Sequence, residues 1–166
     1  MFLGDELPPS VTVEPDGSFA HVSSIRFRVD VGEDRAPLEY IIDFRQMGIG
    51  DLRTINLYLI KDKEMIQVIT PVGAVMAVMA ARQWVLRKWV MDRGGNVSLH
   101  SYAEEPKRAR VYSRMFKELA EALNRRGARK WQVSFDGSHE FIIAKSPKID
   151  RLTRAVGDDR PWQIIS

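Results

Sequence analysis

Three segments between residues 25 and 62 alternate apolar and polar side chains, and they limit the fold more than any other feature. They read IRFRVDV (25–31), LEYIIDFRQM (38–47) and LRTINLYLIKD (52–62). A period of two residues is typical of strands with one buried face. Because the links between the segments are short, the strands are predicted to pair antiparallel as a meander.

A long apolar segment follows these strands. From Val72 to Asp92 the chain contains no proline and, after Gly73, no glycine, and its polar residues are concentrated in the second half. This pattern predicts a helix that is buried at its start and ends at Gly94 and Gly95. Residues 63–70, just before it, predict a short edge strand.

The second half of the chain repeats the alternation of strand and helix. Residues 96–103 predict a strand, and residues 104–127 predict a helix with Pro106 in its first turn and Gly127 at its end. Two more strands, 130–136 and 140–146, flank a DGSH turn. The apolar stripe of the second helix is predicted to be buried and consists of Val111, Tyr112, Met115, Phe116, Leu119 and Leu123.

These elements suggest an N-terminal arm (1–18), one domain (19–145) and a C-terminal tail (146–166). The tail contains at most one predicted helical turn and ends in PWQIIS. Leaving large apolar side chains in water forfeits about 1.5–3 kcal/mol for each one that could be buried. The tail is therefore predicted to fold back on its own sheet or to dock on another chain, and we favour docking or self-association.

Composition excludes several kinds of chemistry. The 166 residues include no cysteine, which rules out disulfides, a thiolate nucleophile and cysteine metal ligands. His21, His100 and His139 lie in separate segments without acidic residues at ligand spacing, so no metal site is expected. We also expect no membrane span, because no apolar run approaches about 18 residues. Synthesis in the cytosol without export is the corresponding expectation.

The net charge is +3, and basic residues are concentrated between Lys107 and Lys130, with nine of them against two acidic residues. Such a cluster can bind nucleic acid phosphates, an acidic partner or a phosphorylated cofactor. No known nucleic-acid-binding motif accompanies it. We therefore expect a solvated or protein-binding helix face, and nucleic acid is not the expected partner.

Two stretches resemble the GNAT superfamily of N-acyltransferases, and more specifically the degenerate GNAT-like proteins encoded by bacteriophages. One is the turn TPVGA (70–74) before the central helix, and the other is EPKRARVY (105–112), which opens the later helix. The resemblance covers residues 20–145 and implies an α/β (α+β) fold. Its sheet would be mixed and mainly antiparallel, with six to seven strands and two principal helices. The link at residues 32–37 is too short for the helix pair that most GNAT enzymes carry there, as in the phage-type relatives.

The resemblance also implies a site. In GNAT enzymes the turn before the central helix donates backbone N–H groups to the pyrophosphate of CoA. Acetyl-CoA or another acyl-CoA would then contact Val72, Gly73, Ala74 and Val75, with Arg82 or Arg108 near its phosphates. Tyr112 would act as the catalytic acid toward the departing thiolate. His100 is expected in the same region of the sheet.

Two departures from the family pattern leave the function open. Pro71 removes a backbone donor from the turn, and the strand at 52–60 has no glutamate where a general base is expected. A degenerate scaffold that acts through protein binding, as a virion component or a host-factor modulator, is the first hypothesis. The alternative is an acyl-CoA-dependent N-acyltransferase that modifies a host protein or metabolite. The implied location is the host cytoplasm or the virion.

Overall fold

The computed structural model describes residues 3–61, 64–67, 74–103, 105–125 and 130–165. The strands are β1 (Val11–Glu14), β2 (Ser24–Val29), β3 (Leu38–Gln46), β4 (Leu52–Lys61), β5 (Glu64–Gln67), β6 (Ser98–Tyr102), β7 (Trp131–Phe135), β8 (Glu140–Lys145) and β9 (Gln163–Ile165). The helices are α1 (Val75–Asp92), α2 (Pro106–Asn124) and α3 (Lys148–Gly157). None of these three helices is both long and apolar enough to cross a bilayer.

The strands follow the order β1-β2-β3-β4-β6-β8-β7-β9, and β5 also pairs with β4. Of the pairings whose register is described, one is parallel and joins Leu52–Thr54 of β4 to Ser98–His100 of β6. The mixed, mainly antiparallel α+β class is confirmed. The predicted six to seven strands and two principal helices are too few, because β1, β9 and α3 form in segments interpreted as arm and tail.

The chain divides into two compact units, and the first contains residues 1–44 and 56–93. In it β1, β2 and β3 pair antiparallel, with Val11 opposite Val29. Ile25, Phe27 and Val29 are buried, as the alternating pattern predicts. The arm therefore contributes a strand to the sheet, since residues 11–14 belong to β1.

Helix α1 packs against the same unit through its aromatic side chains. The ring of Trp89 stacks on that of Phe44, with 4.0 Å between the centroids, and its Nε1 donates to the backbone oxygen of Val22 at 2.8 Å. Gly94 and Gly95 follow the helix with φ values of 68° and 71°, a conformation that favours glycine. The helix thus ends where the glycine pair predicts.

The N-terminal residues are held to α1 by charged contacts. Arg87 donates to a carboxylate oxygen of Asp5 at 2.8 Å and to its backbone oxygen at 3.0 Å. The backbone N–H of Phe19 donates to Asp92 at 2.8 Å, and Lys88 forms an ion pair with the same carboxylate. Burial acts to raise the pKa of Asp92, but these hydrogen bonds outweigh it and hold the pKa below its ordinary value.

The second unit contains residues 45–55 and 94–166. Here β8 lies between β6 and β7 and pairs antiparallel with both, and α2 packs on β7 and β8. Phe116 and Leu119 of the predicted stripe are buried, as are Met115 and Leu123. The prediction for Val111 is wrong, because that side chain is 47% exposed. Val111 lies about 140° around the helix from Phe116 but only about 40° from the buried Met115, so it lies at the edge of the buried side.

The tail folds back within this second unit. Ile149 and Leu152 of α3 join a buried cluster with Leu52, Ile142 and Ala144, and Trp162 packs against that cluster. The Nε1 of Trp162 donates to the backbone oxygen of Gly157 at 2.8 Å. The segment interpreted as a single helical turn is therefore a ten-residue helix followed by an edge strand.

Candidate functional site

The predicted cofactor-binding turn leads into α1, and the structure describes only its end. Val72 and Gly73 lie outside the described residues. Ala74 is buried and precedes the first helical residue, Val75. Within the described chain, no side chain caps this helix start and its first turn has no acidic residue. The helix dipole at this end therefore favours an anion without competition from a local carboxylate.

A cavity of about 430 Å³ lies beside the first turn of α1. Ala74 and Ala77 form part of its wall, and Ser10, Asp30 and Arg35 contribute polar groups. Its volume is within the range of small-molecule pockets, about 300–1,000 Å³. Because Asp30 and Arg35 bring opposite charges, the lining shows no preference for an anionic ligand over a neutral one.

The remaining predicted site residues lie on two helices. Arg82 is on α1, in the same unit as Ala74 and Val75, and is only 6% exposed. Arg108 is exposed on α2, with its Nε 3.9 Å from a carboxylate oxygen of Glu105. Tyr112 is half-buried on α2, and its ring centroid lies 6.0 Å from that of Phe116. The structure thus groups Arg82 with Ala74 and Val75, and Arg108 with Tyr112.

A second group of polar side chains, which we call the His100 cluster, lies in the second unit. It consists of Thr54, His100, Asp136, Glu140 and Arg160. Thr54 is directly opposite His100 in the parallel pairing of β4 and β6, and its Oγ1 lies 2.6 Å from the Nδ1 of the imidazole. The Nε2 of His100 lies 3.5 Å from a carboxylate oxygen of Glu140. The imidazole therefore has a hydroxyl on one side and a carboxylate on the other.

Arg160 and Asp136 complete the cluster. Arg160 forms an ion pair with Glu140, and its Nη1 lies 3.7 Å from a carboxylate oxygen of Asp136. The other oxygen of Asp136 accepts backbone N–H bonds from Ser138 and His139 at 2.8 Å and from Glu140 at 3.0 Å. Asp136 therefore fixes the turn between β7 and β8 and the start of the strand that carries Glu140.

The cluster keeps His100 neutral at pH 7. The side chain is 5% exposed, and this burial is the main reason why its pKa falls from 6.5 to about 4. The positive charge of Arg160 lowers the pKa as well, while the carboxylate of Asp136 opposes the shift. A neutral imidazole in this position can exchange hydrogen bonds with Thr54, but it is a weak base.

Sequence reasoning singled out His100 but not its partners. Thr54, Glu140 and Arg160 are far apart in the chain and match no motif. A signal was present in β6, where SLHSY places polar residues at positions that a buried strand normally fills with apolar ones. Four of these five residues are buried, and a buried imidazole such as that of His100 normally has a hydrogen-bond partner on a neighbouring element.

No group of three or more histidine, cysteine, aspartate or glutamate side chains in the described part of the chain is arranged to hold a metal ion. Comparison of the chain with protein-family models, with curated proteins and with solved structures gives no match.

Proposed function

We propose that the chain is a GNAT-like domain of the degenerate bacteriophage-encoded type that acts by binding another protein, as a virion component or a modulator of a host factor. The order of elements supports this proposal. A meander of β2 to β4 precedes the helix α1, then strand β6, the proline-initiated helix α2 and the β7–β8 hairpin. The resemblance in the sequence implies the same order.

The state of His100 is the observation that carries the choice of binding over acyl transfer. A general base must reach its substrate and have a pKa near the working pH. His100 is 5% exposed, has a pKa of about 4 and is bonded to Thr54. Strand β4, with the sequence LRTINLYLIK, supplies no carboxylate in its place. Thr54 of β4 and His100 of β6 bond to each other, and this pair is poorly suited to deprotonating an amine.

The protein contact that we propose includes the C-terminal tail. Strand β9 ends the strand order, and the side chain of Ile164 on it is 47% exposed. An exposed aliphatic side chain at a sheet edge suits contact with a protein partner or with a second copy of the chain. Trp162, by contrast, already packs on its own unit.

The small-molecule size of the cavity beside α1 and the uncapped start of that helix support a second candidate, an acyl-CoA-dependent N-acyltransferase acting on a host protein or metabolite. In that case backbone N–H groups of residues 72–75 would bind the pyrophosphate, and Arg82 or Arg108 would lie near the phosphates. Tyr112 would hold the proton for the departing thiolate. Arg108 is exposed and accessible to such a ligand, whereas Arg82 is almost fully buried.

Thermal unfolding with acetyl-CoA, combined with an assay for released thiol, separates the two candidates. A ligand at 100 times its dissociation constant stabilises a protein by about 2.7 kcal/mol. The binding proposal predicts no shift at millimolar acetyl-CoA and no thiol release with amine acceptors. A saturable shift, together with thiol release that falls in Tyr112→Phe, would overturn it and establish the acyltransferase.

A further inference from the structure

The exposed side of α2 carries arginines around an apolar residue. We call Arg108, Arg110, Val111 and Arg114 the α2 arginine patch. All four side chains are exposed, and that of Val111 is 47% exposed. Arg108 and Arg114 lie three residues before and after Val111, so they flank it on the helix surface. The patch therefore has an apolar centre and a positively charged surround.

The patch lies on a helix whose other side is fixed. Ala109, Phe116 and Ala120 are buried, and α2 packs on β7 and β8. The backbone of a packed helix holds its residues at a fixed spacing, so the entropy lost on binding is mainly that of the arginine side chains. These buried residues hold α2 in place. The exposed side chain of Val111 is therefore not required for the packing of the helix and is available to a partner.

The charges of the patch are only partly neutralised. Arg108 lies 3.9 Å from Glu105, and both side chains are largely exposed. Arg110 and Arg114 make no ion pair with any residue that the structure describes. A free guanidinium binds a carboxylate through two parallel hydrogen bonds, which gives direction as well as attraction.

We propose that the α2 arginine patch binds an acidic segment of another protein, with carboxylates on Arg110 and Arg114 and an apolar side chain on Val111. An apolar centre inside a polar rim is the usual arrangement of a protein interface. Glu118 and Glu121 continue the same helix and end the positively charged surface, so the patch suits a short acidic segment better than a nucleic acid backbone that follows the helix. The patch shares no residue with the tail, and the proposal does not depend on the GNAT resemblance.

The test measures binding of the full chain to a short fluorescent peptide in which pairs of glutamates alternate with leucines, by anisotropy. Replacing Arg110 and Arg114 together with glutamine should weaken binding about tenfold or more, because two charge-assisted contacts are lost. Val111→Ser should weaken binding about threefold at both low and high salt, since the lost contact is apolar. Glutamine preserves helix propensity, and circular dichroism checks that each variant is folded.

The matched control replaces Arg26 and Arg151, which are exposed on β2 and α3, with glutamine. It removes the same charge from other surfaces and should change the affinity less than about twofold. Equal losses in both double variants would show attraction by net charge alone and overturn the proposal. Absence of peptide binding at low salt would also overturn it. The proposal would also be overturned if a single-stranded oligonucleotide bound more tightly than the peptide and this binding were lost in the Arg110/Arg114 variant.

Discussion

The hydroxyl oxygen of Thr54 lies 2.6 Å from the Nδ1 of His100, across the one described parallel pairing of the sheet. The two residues are 46 positions apart in the sequence. The opposite nitrogen, Nε2, has a carboxylate oxygen of Glu140 at 3.5 Å but no hydrogen bond within the described structure. The stability of the fold around this buried imidazole should therefore depend both on the hydroxyl beside it and on whether the imidazole is protonated.

Acidification should destabilise the fold through His100. The folded pKa is about 4 and the ordinary value is 6.5, so between these pH values the unfolded chain binds a proton that the folded chain does not. Stability from this group is fully present above pH 6.5 and falls as the pH drops toward 4. The slope approaches about 1.4 kcal/mol per pH unit. Urea unfolding at pH 7, 6, 5 and 4 measures it.

The matched variant for this prediction is His100→Gln, which keeps a side chain able to bond Thr54 but cannot titrate. The difference in unfolding free energy between wild type and variant should shrink as the pH falls from 6.5 to 4. A constant difference over that range would show that His100 does not set the pH dependence.

Removing the hydroxyl of Thr54 should lower the free energy of unfolding by more than the small volume of the group suggests. Thr54→Val keeps the shape but leaves the Nδ1 of a buried imidazole without its partner, at a cost of about 1–3 kcal/mol. Thr54→Ser retains the hydroxyl and should lose less. Equilibrium denaturation of both variants tests this. A loss in Thr54→Ser as large as that in Thr54→Val would show that the hydroxyl contributes no more to stability than the methyl group.

Arg160 should tune the pKa of His100. Its positive charge is one of the causes that lower this pKa, so Arg160→Met should raise it, with burial still keeping it below 6.5. Titration of the imidazole signals by NMR reports the shift directly. Arg151→Met, at an exposed position on α3, is the control and should leave the titration unchanged.

Asp92 should stabilise the first unit at neutral pH. Its pKa is held below 3.8, so the stabilisation is present above that value and is lost as the pH falls through the folded pKa. Asp92→Asn should reduce stability at pH 7 by about 1 kcal/mol, because the ion pair with Lys88 is lost. The two proteins should converge in thermal unfolding as the pH falls through the folded pKa of Asp92, and a gap that does not narrow on acidification would rule out the charge as its source.

Deleting residues 158–166 should lower the melting temperature of the monomer. Trp162 packs on the cluster of Ile149 and Leu152, and β9 pairs with β7. Each kcal/mol lost corresponds to about 2–4 °C for a chain of this size. Ile164→Ser is the control, since this exposed side chain should affect self-association, measured by light scattering, and not melting. An unchanged melting temperature after the deletion would mean that the packing of Trp162 contributes little.

Much of the fold follows from local patterns. The alternation in residues 25–31 and 38–47 predicts β2 and β3, and the glycine pair after Asp92 predicts the end of α1. By contrast, β1 has only four residues in a segment rich in proline and glycine, so its pairing with β2 is decided by tertiary contact. The helix α3 was underestimated because its apolar side, Ile149 and Leu152, is short and lies among charged residues.

The candidate sites also contain some residues that a local pattern identifies and others that only the tertiary structure brings together. Val111 fits an apolar stripe by spacing, but only packing decides which side of a helix is buried, and here it is exposed. The His100 cluster depends on strand order: Thr54 and Glu140 approach the imidazole because β4 and β8 lie on either side of β6. No local pattern encodes that order, so the sequence indicated the histidine and not the network.

The short strand β9 also has a consequence for how copies of the chain behave toward one another. Its three residues cover an edge of β7, whose sequence WQVSF includes the buried residues Trp131 and Val133. An uncovered strand of this kind offers a row of unpaired N–H and C=O groups to other chains. A protease that cuts between α3 and β9 would therefore do more than shorten the protein, because it would create a template for edge-to-edge aggregation.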